Sequence, residues 1–116
     1  MEIKTWVIDK VDLGELSWEE FLDLVFSGQK KTKECADKIL RYLKNKSATL
    51  NEIIENEKMV RGTAYDAFNT LKRFGLINRK NKYSPIVLSE QFSNALERLS
   101  KYWKIWIKES STTKEN

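Results

Sequence analysis

The sequence predicts a mostly α-helical domain with one small β-hairpin, preceded by an amino-terminal strand and helix and followed by a long carboxy-terminal helix. Three observations lead there. Apolar residues recur at helical spacing in five separate stretches, capping residues and glycines fall at the edges of several of them, and a short extended run separates the last two. A chain of 116 residues supports one core. Within it, residues 1–28 read as an arm and helix, 29–88 as the core, 89–108 as a dimerisation helix and 109–116 as a disordered polar tail.

Ile3, Val7, Val11 and Leu13 share one parity, with Trp6 and Ile8 on the other, which predicts a strand or extended arm over residues 3–12. Ser17 and Glu20 have capping-box spacing, Leu16 can staple against Phe21, and Gly28 closes the helix that follows. Its stripe of Trp18, Phe21, Leu22, Val25 and Phe26 reads as core or dimer contact. A second helix over about residues 32–46 turns Ala36, Ile39, Leu40 and Leu43 inward and is ringed by lysines. Thr49 and Glu52 form another capping-box pair, opening a short helix to Asn56 whose apolar side is Leu50, Ile53 and Ile54.

The segment from Arg61 to Ile77 is the most informative. Ala64, Phe68, Leu71 and Phe74 recur at helical spacing, so Thr63, Asp66, Asn69, Thr70 and Arg73 lie more outward. Gly75 supplies the left-handed stop, and the short helix, the turn through residues 57–60 and this helix make a helix-turn-helix pattern. Leu76–Arg79 and Tyr83–Leu88 can then pair as a hairpin with Lys80-Asn81-Lys82 at its tip, Pro85 being tolerated at an edge. Ser89 can cap the last helix. Its residues Phe92, Leu96, Leu99, Trp103 and Trp106 form a 4-3-4-3 seam, which Ala95 and Tyr102 broaden. Such a helix either folds back on its own core or pairs with a second copy. The width and aromatic content of the stripe favour a homodimer with Phe92, Leu96, Leu99, Trp103 and Trp106 at the interface.

Composition narrows the chemistry. The chain has no His and a single Cys, which removes imidazole acid–base catalysis, His-activated nucleophiles and His-based zinc sites. No glycine-rich phosphate cradle or distinctive acidic pair appears, so neither an enzyme nor a cofactor or metal is expected. Cys35 borders an apolar stripe and reads as a small buried hydrophobe. No apolar run is long enough to span a bilayer and no signal-peptide pattern opens the chain, so the expectation is a soluble cytoplasmic protein with no membrane partner. The net charge of +4 is distributed in blocks: residues 1–28 carry −5, 29–46 carry +5, 47–60 carry −2 and 61–83 carry +5. The basic blocks suit a phosphate backbone, although solvated helix faces give the same pattern.

Taken together, residues 32–90 resemble the winged helix-turn-helix superfamily of prokaryotic transcription regulators, including archaeal members of MarR and Lrp type. Arg61, Thr63 and Tyr65 match individual positions of the family's recognition helix, Phe68, Leu71 and Phe74 replace its core leucines, and Gly75-Leu76-Ile77 matches its ending. Ile86-Val87-Leu88-Ser89 looks like its second wing strand. Val60 stands where a Ser or Thr cap is usual, the turn before it is long, and Asp66 puts an acid on the outward face.

The resemblance implies a nucleoid-associated homodimer that binds double-stranded DNA. Arg61 and Arg73 would hold phosphates, Thr63, Tyr65, Asn69 and Thr70 would meet base edges, and Arg79, Lys80 and Lys82 would carry the wing contact. Two alternatives use the same fold: a protein-docking subunit of a larger assembly, favoured by Asp66 and the acidic amino-terminal block, and a chromatin protein indifferent to sequence.

Overall fold

The computed structural model describes residues 17–115, with side chains through residue 109. The expected arm over residues 3–12 and the Leu16 staple lie outside the described residues.

The first described helix, α1 (Trp18–Val25), starts where Ser17 Oγ accepts the Glu20 N–H at 3.1 Å, and Glu19 and Glu20 sit favourably in its positively polarised first turn. It buries Leu22 and Val25, with Phe26 just beyond its end, and Gly28 at φ 73° turns the chain toward α2 (Lys30–Asn45). This second helix begins two residues earlier than its periodicity suggests. It buries Ala36, Ile39, Leu40 and Leu43, a continuous i, i+3, i+4, i+7 stripe against which the other elements pack. Lys33 clasps α1 to α2, its ammonium lying 2.7 Å from Glu19 and 2.6 Å from Asp23, and the hydrogen bond to Asp23, followed by that to Glu19, pushes its pKa up.

The capping box at Thr49 is formed. Its Oγ1 accepts the Glu52 N–H at 3.2 Å while its own N–H reaches back to the Glu52 carboxylate, opening α3 (Leu50–Glu57). Lys58, at φ 51°, ends α3 in the left-handed region, so only residues 58–60 separate it from α4 (Arg61–Arg73). The long turn expected from the sequence is therefore a tight one. Val60 gives α4 no side-chain cap, in keeping with its apolar side chain. Ala67 joins Ala64, Phe68 and Leu71 as fully buried, whereas Phe74 is only half-buried as the capping residue.

The end of α4 is a Schellman motif. Gly75 donates to the Lys72 carbonyl and Leu76 to the Leu71 carbonyl, both at 3.0 Å, with Gly75 at φ 77°. Strand β1 (Ile77–Asn78) follows and pairs antiparallel with β2 (Val87–Leu88), Ile77 opposite Leu88 and Asn78 opposite Val87. Ala48 adds a single antiparallel bridge to Ile86, whose N–H reaches its carbonyl at 2.7 Å. Ile77, Ile86 and Ala48 are buried together with the helical core.

The hairpin is shorter than the expected 76–79 and 83–88. Asn78 and Asn81 side chains accept the Arg79 and Tyr83 N–H groups, each at 2.9 Å, and Pro85 has no N–H to give, so the intervening backbone is satisfied as a turn.

Ser89 Oγ accepts the Gln91 N–H at 3.1 Å and α5 (Gln91–Glu115) begins. It continues past Lys108 through the polar segment expected to be disordered, since no Gly or Pro interrupts residues 91–115. A 25-residue helix is about 37 Å long, and α5 dominates the 63 × 30 × 24 Å envelope.

A Cβ built on Gly75 would lie 3.0 Å from the Phe92 nitrogen and 3.1 Å from Gln91 Cβ. Gly75→Ala should therefore combine left-handed strain of about 1–2 kcal/mol with a backbone clash, lowering the urea midpoint accordingly. A midpoint within error of wild type would show that the junction relaxes freely. Thr49→Ala, which removes the side-chain half of the capping box and leaves its backbone half, should cost about 1 kcal/mol in the same assay.

Candidate functional site

The outward face of α4 carries Arg61, Tyr65, Asp66, Asn69, Lys72 and Arg73, all exposed and within about 140° of the helix circumference by helical rotation. Beside it lies the hairpin. Residues 61–83 hold six basic side chains against Asp66, a net of +5.

The nine residues expected from the sequence to touch DNA do not present equal opportunities. Arg61 donates to Asn51 Oδ1 at 2.9 Å, which tethers the first turn of α4 to α3. Thr63 is half-buried. Thr70, also half-buried, turns its hydroxyl back to the Asp66 carbonyl at 3.0 Å, a bond that satisfies the side chain within the helix instead of offering it outward. Arg73 leans over its own helix toward the Asn69 carbonyl at 3.4 Å. Tyr65 and Asn69 are exposed, and among the described residues the Asn69 amide makes no hydrogen bond.

Arg79 is the clearest departure from expectation. Its guanidinium lies 4.3 Å from the Phe68 ring centroid and donates to the Lys82 carbonyl at 3.2 Å, so it caps the core and braces the hairpin. Lys80 and Lys82 stand exposed at the tip, Lys82 near the exposed Tyr83 ring.

Three participants were not singled out from the sequence. Lys72, three residues after Asn69, shares its face. Asn51 positions Arg61, and Tyr83 flanks the hairpin tip. The i, i+3 spacing was a usable signal for Lys72, whereas Asn51 is ten residues from its partner and required the fold.

The seam residues divide as well. Phe92 is half-buried and meets Phe21 of its own chain edge-to-face, with centroids 6.3 Å apart. The rest of the stripe is open: Leu99 is 65% exposed, Tyr102 66%, Trp103 57% and Trp106 49%, and the two indoles stack at 5.3 Å. Leu96 is exposed at its edge.

A groove of about 500 Å³ lies between α1, α2 and the hairpin, floored by Phe21, Leu40, Leu76 and Leu88, with Ser89 also lining it. At its rim Trp18 donates its indole N–H to Asp37, and Asp37 also accepts from Arg41 at 2.7 Å. Of the stripe expected as core or dimer contact, Leu22, Val25 and Phe26 are core, while Trp18 and Phe21 line this groove.

Among the described residues, no cluster of His, Cys, Asp and Glu could hold a metal ion, and no helix is long and apolar enough to cross a membrane. Taken as a class, this is a mostly helical protein with a small two-stranded antiparallel sheet, a basic polar face and an exposed aromatic helix face. The chain belongs to an archaeal protein family, which matches residues 16–109. No curated protein and no solved structure matches it.

Cys35 sits half-buried against the core, and burial pushes its thiol pKa up, with Lys38 opposing. Alkylation by iodoacetamide at pH 8 should be several-fold slower than that of a free thiol such as glutathione, because less of Cys35 is thiolate and its access is restricted. Equal rates would remove it from the packed layer.

Proposed function

We propose that the protein is a winged-helix transcription regulator that binds duplex DNA as a homodimer in the cytoplasm. One observation carries this reading: an outward polar face on α4 lies beside a basic hairpin tip, both fixed to the same core, in a segment of net charge +5. The order α2, α3, α4 and hairpin, with Ala48 bridging to Ile86, supports the winged-helix comparison. A 13-residue helix, about 20 Å long, suits the major groove.

In this reading Asn69 is the principal base reader, since a free amide can pair in two places with adenine, and Asp66 can accept from cytosine N4. Tyr65 adds an apolar contact with a hydroxyl tip. Lys72, Arg73, Lys80 and Lys82 hold phosphates, while Arg61 and Arg79 act first as braces. The exposed α5 stripe supports self-association, because a patch with two stacked indoles is costly to leave in water.

Duplexes enriched from a random pool, titrated by fluorescence anisotropy across a salt series, test the DNA reading. Lys80→Ala with Lys82→Ala should reduce the log–log salt slope by about 2, roughly 0.9 per phosphate contact. Asn69→Ala should weaken discrimination against a mismatched site by about 1–3 kcal/mol while leaving nonspecific binding in place. No binding to any duplex at low salt would overturn the reading. For the oligomer, sedimentation should give a dimer that Trp103→Glu splits; a wild-type monomer at high concentration would reject it.

A further inference from the structure

Resting on that homodimer reading, we infer that two copies pair through α5 in antiparallel orientation, with Leu99 on the two-fold axis. The pattern of side chains on the open face is the argument. Reflection about Leu99 exchanges Phe92 with Trp106, Ala95 with Trp103, and Leu96 with Tyr102, so each of these seam residues meets another of them, while the exposed Ile105 and Ile107 fall outside the set. Each of the pairs Ala95–Trp103 and Leu96–Tyr102 joins a smaller side chain to a larger one. Two helix axes can then keep an even separation of roughly 8–10 Å across these central layers, with the larger Phe92–Trp106 pairs at the two ends.

Parallel pairing has no such balance. It would set Trp103 on Trp103 and Trp106 on Trp106 at one end, and Ala95 beside its own copy at the other, forcing the axes apart where the indoles meet. Charge points the same way. Residues 90–98 carry Glu90, Glu97 and Arg98, a net of −1, whereas 100–108 carry Lys101, Lys104 and Lys108, a net of +3. Antiparallel pairing brings these unlike halves together; parallel pairing puts the +3 halves side by side.

The orientation also extends an aromatic run at the root of α5. Trp18 stacks on Phe21 at 5.6 Å, and Phe21 meets Phe92 at 6.3 Å. With Leu99 on the axis, Trp106 of the second copy lies opposite Phe92 and extends that run. Each copy therefore adds one indole to the other's run of aromatic rings.

Cross-linking of the full chain in a Cys35→Ser background tests the orientation. Leu99→Cys should link to itself on mild oxidation, and Phe92→Cys mixed with Trp106→Cys should give a heterodimeric link, whereas Trp106→Cys alone should give none. Self-linking by Trp106→Cys as efficient as that by Leu99→Cys would overturn the proposal in favour of parallel pairing.

Because substitution within the seam can itself weaken the dimer, a second measurement leaves the seam intact. Spin labels attached through Lys108→Cys should be offset by about 27 Å along the helix axis in the antiparallel pair and lie side by side in the parallel one. A dimer in sedimentation with neither label geometry would place the contact on another face and reject this inference, while a wild-type monomer would reject the homodimer reading itself.

Discussion

The junction at Gly75 is the constraint on which the arrangement of surfaces depends. Its backbone closes α4, its carbonyl accepts the Phe92 N–H at 3.1 Å, and its missing Cβ is what lets the root of α5 approach. Two directions are set there at once. The chain leaves α4 through a left-handed turn that sends Ile77 into the core, and α5 starts against the same turn. The hairpin is then laid back so that Arg79 covers the Phe68 ring, and α5 departs with Phe92 packed and most of its remaining apolar stripe open. One residue's conformational freedom thereby separates a polar surface on α4 from an apolar surface on α5.

Within the polar surface, the structure sorts cations by role. Arg61 and Arg79 are engaged in contacts that hold elements together: one reaches an amide on α3, the other stacks on a core ring. Lys72, Lys80 and Lys82 remain exposed. This division follows from side-chain chemistry. A planar guanidinium can stack and donate in a fixed direction, whereas a strongly hydrated ammonium gains little from packing and stays in solvent. Thr70 illustrates the same competition for a hydroxyl, which the helix claims through the Asp66 carbonyl.

Much of the fold was legible in the sequence because the signals were local. The Thr49 cap, the Gly75 stop and the apolar stripes of α2, α3 and α4 each depend on residues within one or two turns of one another, and all appear where expected. The hairpin ends, the extent of α5 and the Ala48–Ile86 bridge were less legible. Asn78 and Asn81 take over backbone groups that the strand pattern assigned to a ladder, and a polar run without Gly or Pro can propagate a helix that composition alone marks as disordered. The candidate face divides in the same way. Exposure of Asn69, Lys80 and Lys82 followed from helical phase and turn position, while the engagement of Arg79 with Phe68 depended on how the hairpin folds over α4.

The connection between the two surfaces is short and hydrogen-bonded. Ser89 donates to the Leu76 carbonyl, Phe92 to Gly75, and Ile77 pairs with Leu88, so α5 is joined to the end of α4 without a flexible linker. In a dimer built on α5, the spacing of the two α4 helices is therefore a consequence of seam register. Slipping the antiparallel pair by one heptad in each chain moves each Gly75 junction by about 10 Å along the axis, equivalent to about three base pairs of duplex. Residues that fix the register, with Leu99 at the centre and the small Ala95 admitting Trp103, would then select the distance between half-sites although they stand far from any base. In the proposed dimer the aromatic helix and the polar face would then be one device, the first setting the ruler and the second reading at its ends.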